Sequence, residues 1–101
     1  DHESTNDSYK DGAENHQPNE GNWEERKRIS KEVYYEWMPI RGDAATAILY
    51  RTVPYGNLMD LIMLDTRLEG RQEPPANFDT PDSPTAPRQI ISQTQFDWFT
   101  N

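Results

Sequence analysis

Asp1-His2-Glu3, followed closely by Asn6-Asp7, is the densest group of chemistry-bearing side chains in the sequence. Carboxylate, amide and imidazole groups at this spacing are ligand types for hard divalent or trivalent cations. A histidine among them can also donate to a phosphoryl oxygen or a leaving group. The competing reading is a solvated acidic tail that happens to contain one histidine. Farther along, Arg41, Arg67 and Arg71 carry guanidinium forks that match phosphate oxygens. Against that stands ordinary pairing with the many acids. A calcium loop beginning at Asp7 fails, because Tyr9 and Pro18 fall at its third and twelfth positions. Arg41-Gly42-Asp43 reads better as a helix-exit turn than as an adhesion tripeptide. There is no phosphate-cradling glycine loop and no GxSxG elbow.

Charge and composition narrow the function further. Asp and Glu number 18 against 10 Lys and Arg, for a net charge of −8. That sign argues against nucleic acid, which needs a basic footprint, and against an anionic membrane surface. With no cysteine, disulfides, zinc–thiolate sites and thiol nucleophiles are excluded within these residues. No apolar run approaches the ~20 residues that span a bilayer. Hydrophobic residues make up 33% of the chain, well under the usual ~45–50%, so the expected core is thin. The sequence opens on Asp1 rather than Met and reads as a processed chain or an excerpt.

The elements that must position these residues are uneven. Residues 1–22 hold six acids against Lys10 alone and read as an acidic loop, flexible unless a partner or metal holds it. Residues 23–38 read as a helix. Asn22 and Glu25 are spaced as a capping box, Ile29, Val33 and Trp37 form a stripe, and Pro39 ends it. Tyr34 and Met38 widen the stripe, which predicts a core-facing side, and Glu24 is one turn before Arg28. Residues 47–65 read as a β-hairpin. Its first strand runs from about Ala47 to Val53 and its turn lies at Gly56-Asn57. The second strand, Leu58 to Asp65, is almost continuously apolar and predicts cover on both faces. Residues 66–90, broken by Pro74, Pro75, Pro81, Pro84 and Pro87, read as a loop. Residues 92–100 read as a short helix, with Ser92 and Gln95 spaced as a capping box. One helix cannot cover such a hairpin. The expectation is an α/β chain, α+β in isolation, that is a single fragment of something larger. A stand-alone module that self-associates through its apolar helix and strand is the alternative.

Several stretches in order resemble the alkaline phosphatase D family of metallophosphatases. They are Asp1-His2-Glu3-Ser4-Thr5-Asn6-Asp7, Asp11-Gly12-Ala13-Glu14-Asn15-His16 and Tyr34-Tyr35-Glu36-Trp37-Met38-Pro39-Ile40-Arg41. Tyr50-Arg51, Tyr55-Gly56-Asn57-Leu58, Leu64-Asp65-Thr66-Arg67 with Gly70-Arg71, and Ser92-Gln93-Thr94-Gln95-Phe96-Asp97-Trp98-Phe99 complete the set. The resemblance implies a four-layer α/β sandwich with a metal pair between strand-end loops. It implies a phosphomonoester or phosphodiester hydrolase, exported by many bacteria, that uses iron and calcium and acts on a phosphate ester substrate. By that similarity Asp1 or Asn6 would touch metal, His2 would face phosphate, and Arg67 or Arg71 would assist. The remaining ligands would come from the rest of the parent enzyme, leaving this chain alone with weak metal binding and little or no catalysis.

Overall fold

A computed structural model describes residues 6–42, 48–75 and 88–101. Two small antiparallel sheets and two helices make it a mixed α+β arrangement. Strands β1 (Ser8–Tyr9) and β2 (Gly12–Ala13) form a miniature hairpin, and a 3-10 turn over Pro18–Glu20 leads to helix α1 (Trp23–Trp37). Strands β3 (Arg51–Tyr55) and β4 (Met59–Met63) form the main hairpin, and helix α2 (Gln93–Thr100) closes the chain.

Residues 8–20 are thus not a bare loop. The acidic segment lacks apolar area, but it is fastened through Lys10. The Lys10 backbone N–H donates to the Arg71 carbonyl at 2.9 Å. Its own carbonyl accepts from Trp23 Nε1 at 3.1 Å and from Lys27 Nζ at 2.9 Å. Trp23 is buried and its ring meets His16 at 5.3 Å. A polar backbone anchor replaces the hydrophobic contacts that composition could not supply.

Helix α1 begins where its cap predicts, with Asn22 Oδ1 accepting from the Glu25 N–H at 3.1 Å. It ends at Trp37, and its cap Met38 takes an extended ψ of 137°, the geometry imposed by Pro39. The ion pairs differ from the expected Glu24–Arg28 order: Glu24 takes Lys27 at 2.8 Å, and Arg28 bridges Glu25 and Glu32. The larger correction concerns the stripe. Ile29, Val33 and Met38 are exposed, and Trp37 is 82% exposed. Of the widened stripe Tyr34 turns inward, beside Ser30 and Lys31.

The hairpin pairs Arg51 with Met63 through to Tyr55 with Met59. Its first strand runs later than expected and passes through Pro54, which an edge strand tolerates because it owes no donor to a neighbour on that side. Gly56 takes φ +58°, the conformation the turn requires of it. The second strand stops at Met63 rather than Asp65. Every residue of β4 is exposed, and Leu58 is 88% exposed. The expected cover on both faces is absent among the described residues.

Polar contacts hold the remaining junction. Gln95 is 0% exposed. Its Oε1 accepts from the Asp65 N–H at 2.9 Å, and its Nε2 donates to the Asp65 carbonyl at 2.9 Å and to Glu69 Oε2 at 2.8 Å. This occupies the Asp65 main chain, just beyond the end of β4 at Met63. It also breaks the expected capping box. Ser92 Oγ does accept from the Gln95 N–H at 3.1 Å, but the Ser92 N–H is satisfied by Glu69 at 3.1 Å, from 23 residues away. Gly70 packs so closely here that a Cβ would stand 2.0 Å from the Ser92 nitrogen. Gln95→Leu should therefore lower stability by about 1–3 kcal/mol for each main-chain group it orphans. Chemical denaturation of the variant against the parent chain checks this.

Candidate functional site

The 64–70 segment, fixed in place by Gln95 and Gly70, builds one side of a cavity of about 200 Å³. Asp65 is 6% exposed and lines it. Its Oδ1 accepts from the backbone N–H groups of Arg67 at 3.0 Å and Leu68 at 2.8 Å, forming a tight turn. Its Oδ2 is buried and has no hydrogen-bond partner among the described residues. Arg67 is half-buried on the same wall. Lys31 and Tyr34 of α1 face it, and Arg51 enters from β3 with its Nη1 donating to the Leu49 carbonyl at 2.8 Å. Burial pushes the Lys31 ammonium below its usual range, and the Asp65 carboxylate holds it up in part. The cavity therefore concentrates three cations and one carboxylate.

Arg71 lies elsewhere. It lines a second cavity, of about 490 Å³, with Asp7, Tyr9, Glu14 and Glu73. Burial raises the Tyr9 phenol above its usual range, with the charge of Glu73 and a hydrogen bond to it adding to the effect. Asn6 is half-buried in the turn before β1, next to Asp7, which takes φ +51°. The structure thus places Arg67 and Arg71 in different cavities, not in one clamp. Arg41 is exposed. Asp1 and His2 lie outside the described residues, as do Glu3, Asp43, Ala47, Pro81, Pro84 and Pro87.

The sequence reading missed Lys31, Arg51 and the role of Asp65 as a cavity wall. Lys31 had one signal: it lies on the helix side away from the apolar stripe, where a long cation is ordinarily solvated. The Asp65 charge that acts on it lies far away in the chain, so no local spacing reveals it. Among the described residues, no three His, Asp or Glu side chains gather closely enough to hold a metal ion. The described donor set does not by itself fit a metal centre.

The chain belongs to the PhoD-like phosphatase family, whose model matches residues 1–101. That family is generally metal-dependent. No curated protein and no solved structure matches the chain. The match makes the function phosphatase-related, with a phosphate ester as the substrate class. No helix among the described residues is long and apolar enough to cross a membrane.

Glu69 governs how firmly this wall is held. Burial favours the neutral carboxyl, but hydrogen bonds from Ser92 and Gln95 outweigh it, and the group falls below the usual carboxylate range. A depressed folded-state pKa gives stability that is complete above the unfolded value and lost as pH falls through the folded one. Unfolding followed across acid pH should therefore show a loss of stability beginning near the ordinary glutamate range. Glu69→Gln should flatten that acid-side slope while lowering stability at neutral pH.

Proposed function

We propose that this chain is part of a metal-dependent phosphomonoester or phosphodiester hydrolase of the alkaline phosphatase type. The observation that carries the reading is the family match over residues 1–101. The Asp1-His2-Glu3 and Asn6-Asp7 donors supply the residue types such a site uses. In this reading Asp1 or Asn6 contributes to a metal ligand set completed by other parts of the parent enzyme. When bound, the metals polarise the phosphate ester and activate water. Iron and calcium are the ions proposed. His2 holds a hydrogen bond to the phosphoryl oxygen, and Arg67 or Arg71 adds positive charge. The parent is proposed to be exported. The chain alone is proposed to be inactive, since a metal centre needs donors from several strand ends.

The test is His2→Ala in the full-length enzyme. Removing one positioned donor to a developing oxyanion typically costs ~10²–10³ in turnover. A drop of that size in p-nitrophenyl phosphate hydrolysis is expected, and unchanged turnover would remove His2 from the site.

A second reading, the self-associating module, is favoured by one observation: the exposed Ile29, Val33 and Trp37 stripe and the uncovered β4. Apolar patches of this kind mark contact surfaces. Size-exclusion mass measured with and without added metal separates the two. A stable, metal-indifferent dimer supports association, and a monomer that aggregates or partly unfolds supports the fragment.

A further inference from the structure

The β3–β4 hairpin has two unlike edges. Pro54 stands opposite Asp60. Without an N–H it cannot complete a hydrogen-bonded pair, so Pro54–Asp60 is a non-hydrogen-bonded pair. The two kinds of pair alternate along an antiparallel ladder, which makes Thr52–Ile62 another of the same kind. In such pairs the N–H and C=O groups point away from the partner strand. Asp60 and Ile62 therefore present donors and acceptors along the outer edge of β4. On the outer edge of β3 the Pro54 nitrogen interrupts the row. No third strand lies on either edge among the described residues. The faces of the hairpin agree with its edges. Met59, Leu61 and Met63 alternate with Asp60 and Ile62, so both sides of β4 carry apolar residues, and every one of them is exposed. That is the composition of an interior strand. A strand that carries a proline belongs at the border of a sheet.

We propose that in the assembled enzyme an extended strand of the parent polypeptide pairs with the outer edge of β4, and that β3 is the border of the enlarged sheet. The proposal rests on the reading of this chain as part of a larger hydrolase. Charge decides against a second copy of the chain as the occupant. Asp60 is the one acid in β4, and its partner across the hairpin is Pro54, which carries no charge. Nor does β4 hold a cation or a hydroxyl. Two β4 strands joined edge to edge therefore set each Asp60 against an apolar side chain or against the other Asp60. Either arrangement is unfavourable once the faces are covered. The β3 edge of a copy offers Thr52 but is interrupted by Pro54. The strand that fits is apolar on both faces and carries Lys, Arg, Ser or Thr across from Asp60.

The experiment follows amide hydrogen exchange, resolved by residue, in the full-length enzyme. By the same alternation the Val53 and Leu61 amides bond across the hairpin, so they set the reference for a paired amide. Asp60 and Ile62 should exchange as slowly as these, and Thr52, on the interrupted edge, should exchange faster. Two pairs of variants test the bond itself. Ile62→Pro removes an outward N–H as well as the side chain, and Ile62→Ala removes the side chain alone. The melting midpoint of the proline variant should fall at least ~2 °C below that of the alanine variant. Thr52→Pro and Thr52→Ala should differ by less. If Ile62→Pro does not fold, exchange in the unaltered enzyme decides. Asp60 and Ile62 amides that exchange as fast as Thr52 overturn the proposal. So does protection that disappears on dilution to a monomer, which makes a second copy the occupant. Neither measurement involves metal or hydrolysis, so a failure here leaves the His2 test of the enzyme reading untouched.

Discussion

One buried amide organises what this chain can build. Gln95 pairs with the Asp65 main chain through both its oxygen and its nitrogen, as a neighbouring strand would, and its second N–H goes to Glu69. Glu69 in turn takes the first backbone donor of α2 through Ser92. A side chain with no exposure cannot exchange these partners for water, so the arrangement is all or nothing. The buried apolar set among the described residues is Ala13 and Trp23, too little to fix the position of a helix by packing. Hydrogen-bond satisfaction sets the geometry here, and the hydrophobic effect follows. The Tyr50–Trp98 ring contact at 4.8 Å then settles the outer end of α2 against the approach to β3.

This explains which parts of the fold were legible in the residues. Signals confined to one turn of chain read correctly: Asn22 starts α1, Pro39 ends it, Gly56 turns the hairpin and Ser92 starts α2. Signals that need a distant partner did not. Nothing in the spacing of Ser92 and Gln95 reveals that Glu69 would take the place of the local capping partner. Nothing near Leu64 shows that Gln95 claims the Asp65 main chain just beyond β4. The β1–β2 hairpin was invisible for the same reason, being tied through Lys10 to Arg71, Trp23 and Lys27. In the site, residue type marked Arg67 and Arg71 as phosphate-compatible. Only the path of the chain shows that four residues of separation carry them to different cavities.

The apolar surface is the other constraint. A two-stranded hairpin is marginal in water on its own. A strand apolar on both sides has the composition of one buried between layers. Here β4 is exposed along its whole length, and the α1 stripe points away from the polar side that meets the 64–70 segment. The inward side of α1 is thus marked by Lys31, Ser30 and Tyr34 lining a cavity, while its most hydrophobic side is exposed. The amphipathic pattern was real, but the side it marks is exposed and the side used within the described residues is the more polar one.

That division has a consequence for chemistry. A phosphatase must draw a dianion toward a chain whose own net charge is −8. The long-range field opposes this, and ionic strength screens it within about 8–10 Å. What remains is local: cations gathered where water is partly excluded act more strongly than the same charges spread over the surface. The acidic residues of the β1–β2 region line a cavity separate from the one holding Lys31, Arg51 and Arg67. Keeping these sets apart prevents the carboxylates from neutralising the cations. Asp65 is the single acid admitted to the cationic cavity, and it is admitted by the same turn that Gln95 holds in place. The buried amide therefore does more than attach a helix. It also steadies the turn that sets the Asp65 carboxylate beside Lys31, Arg51 and Arg67.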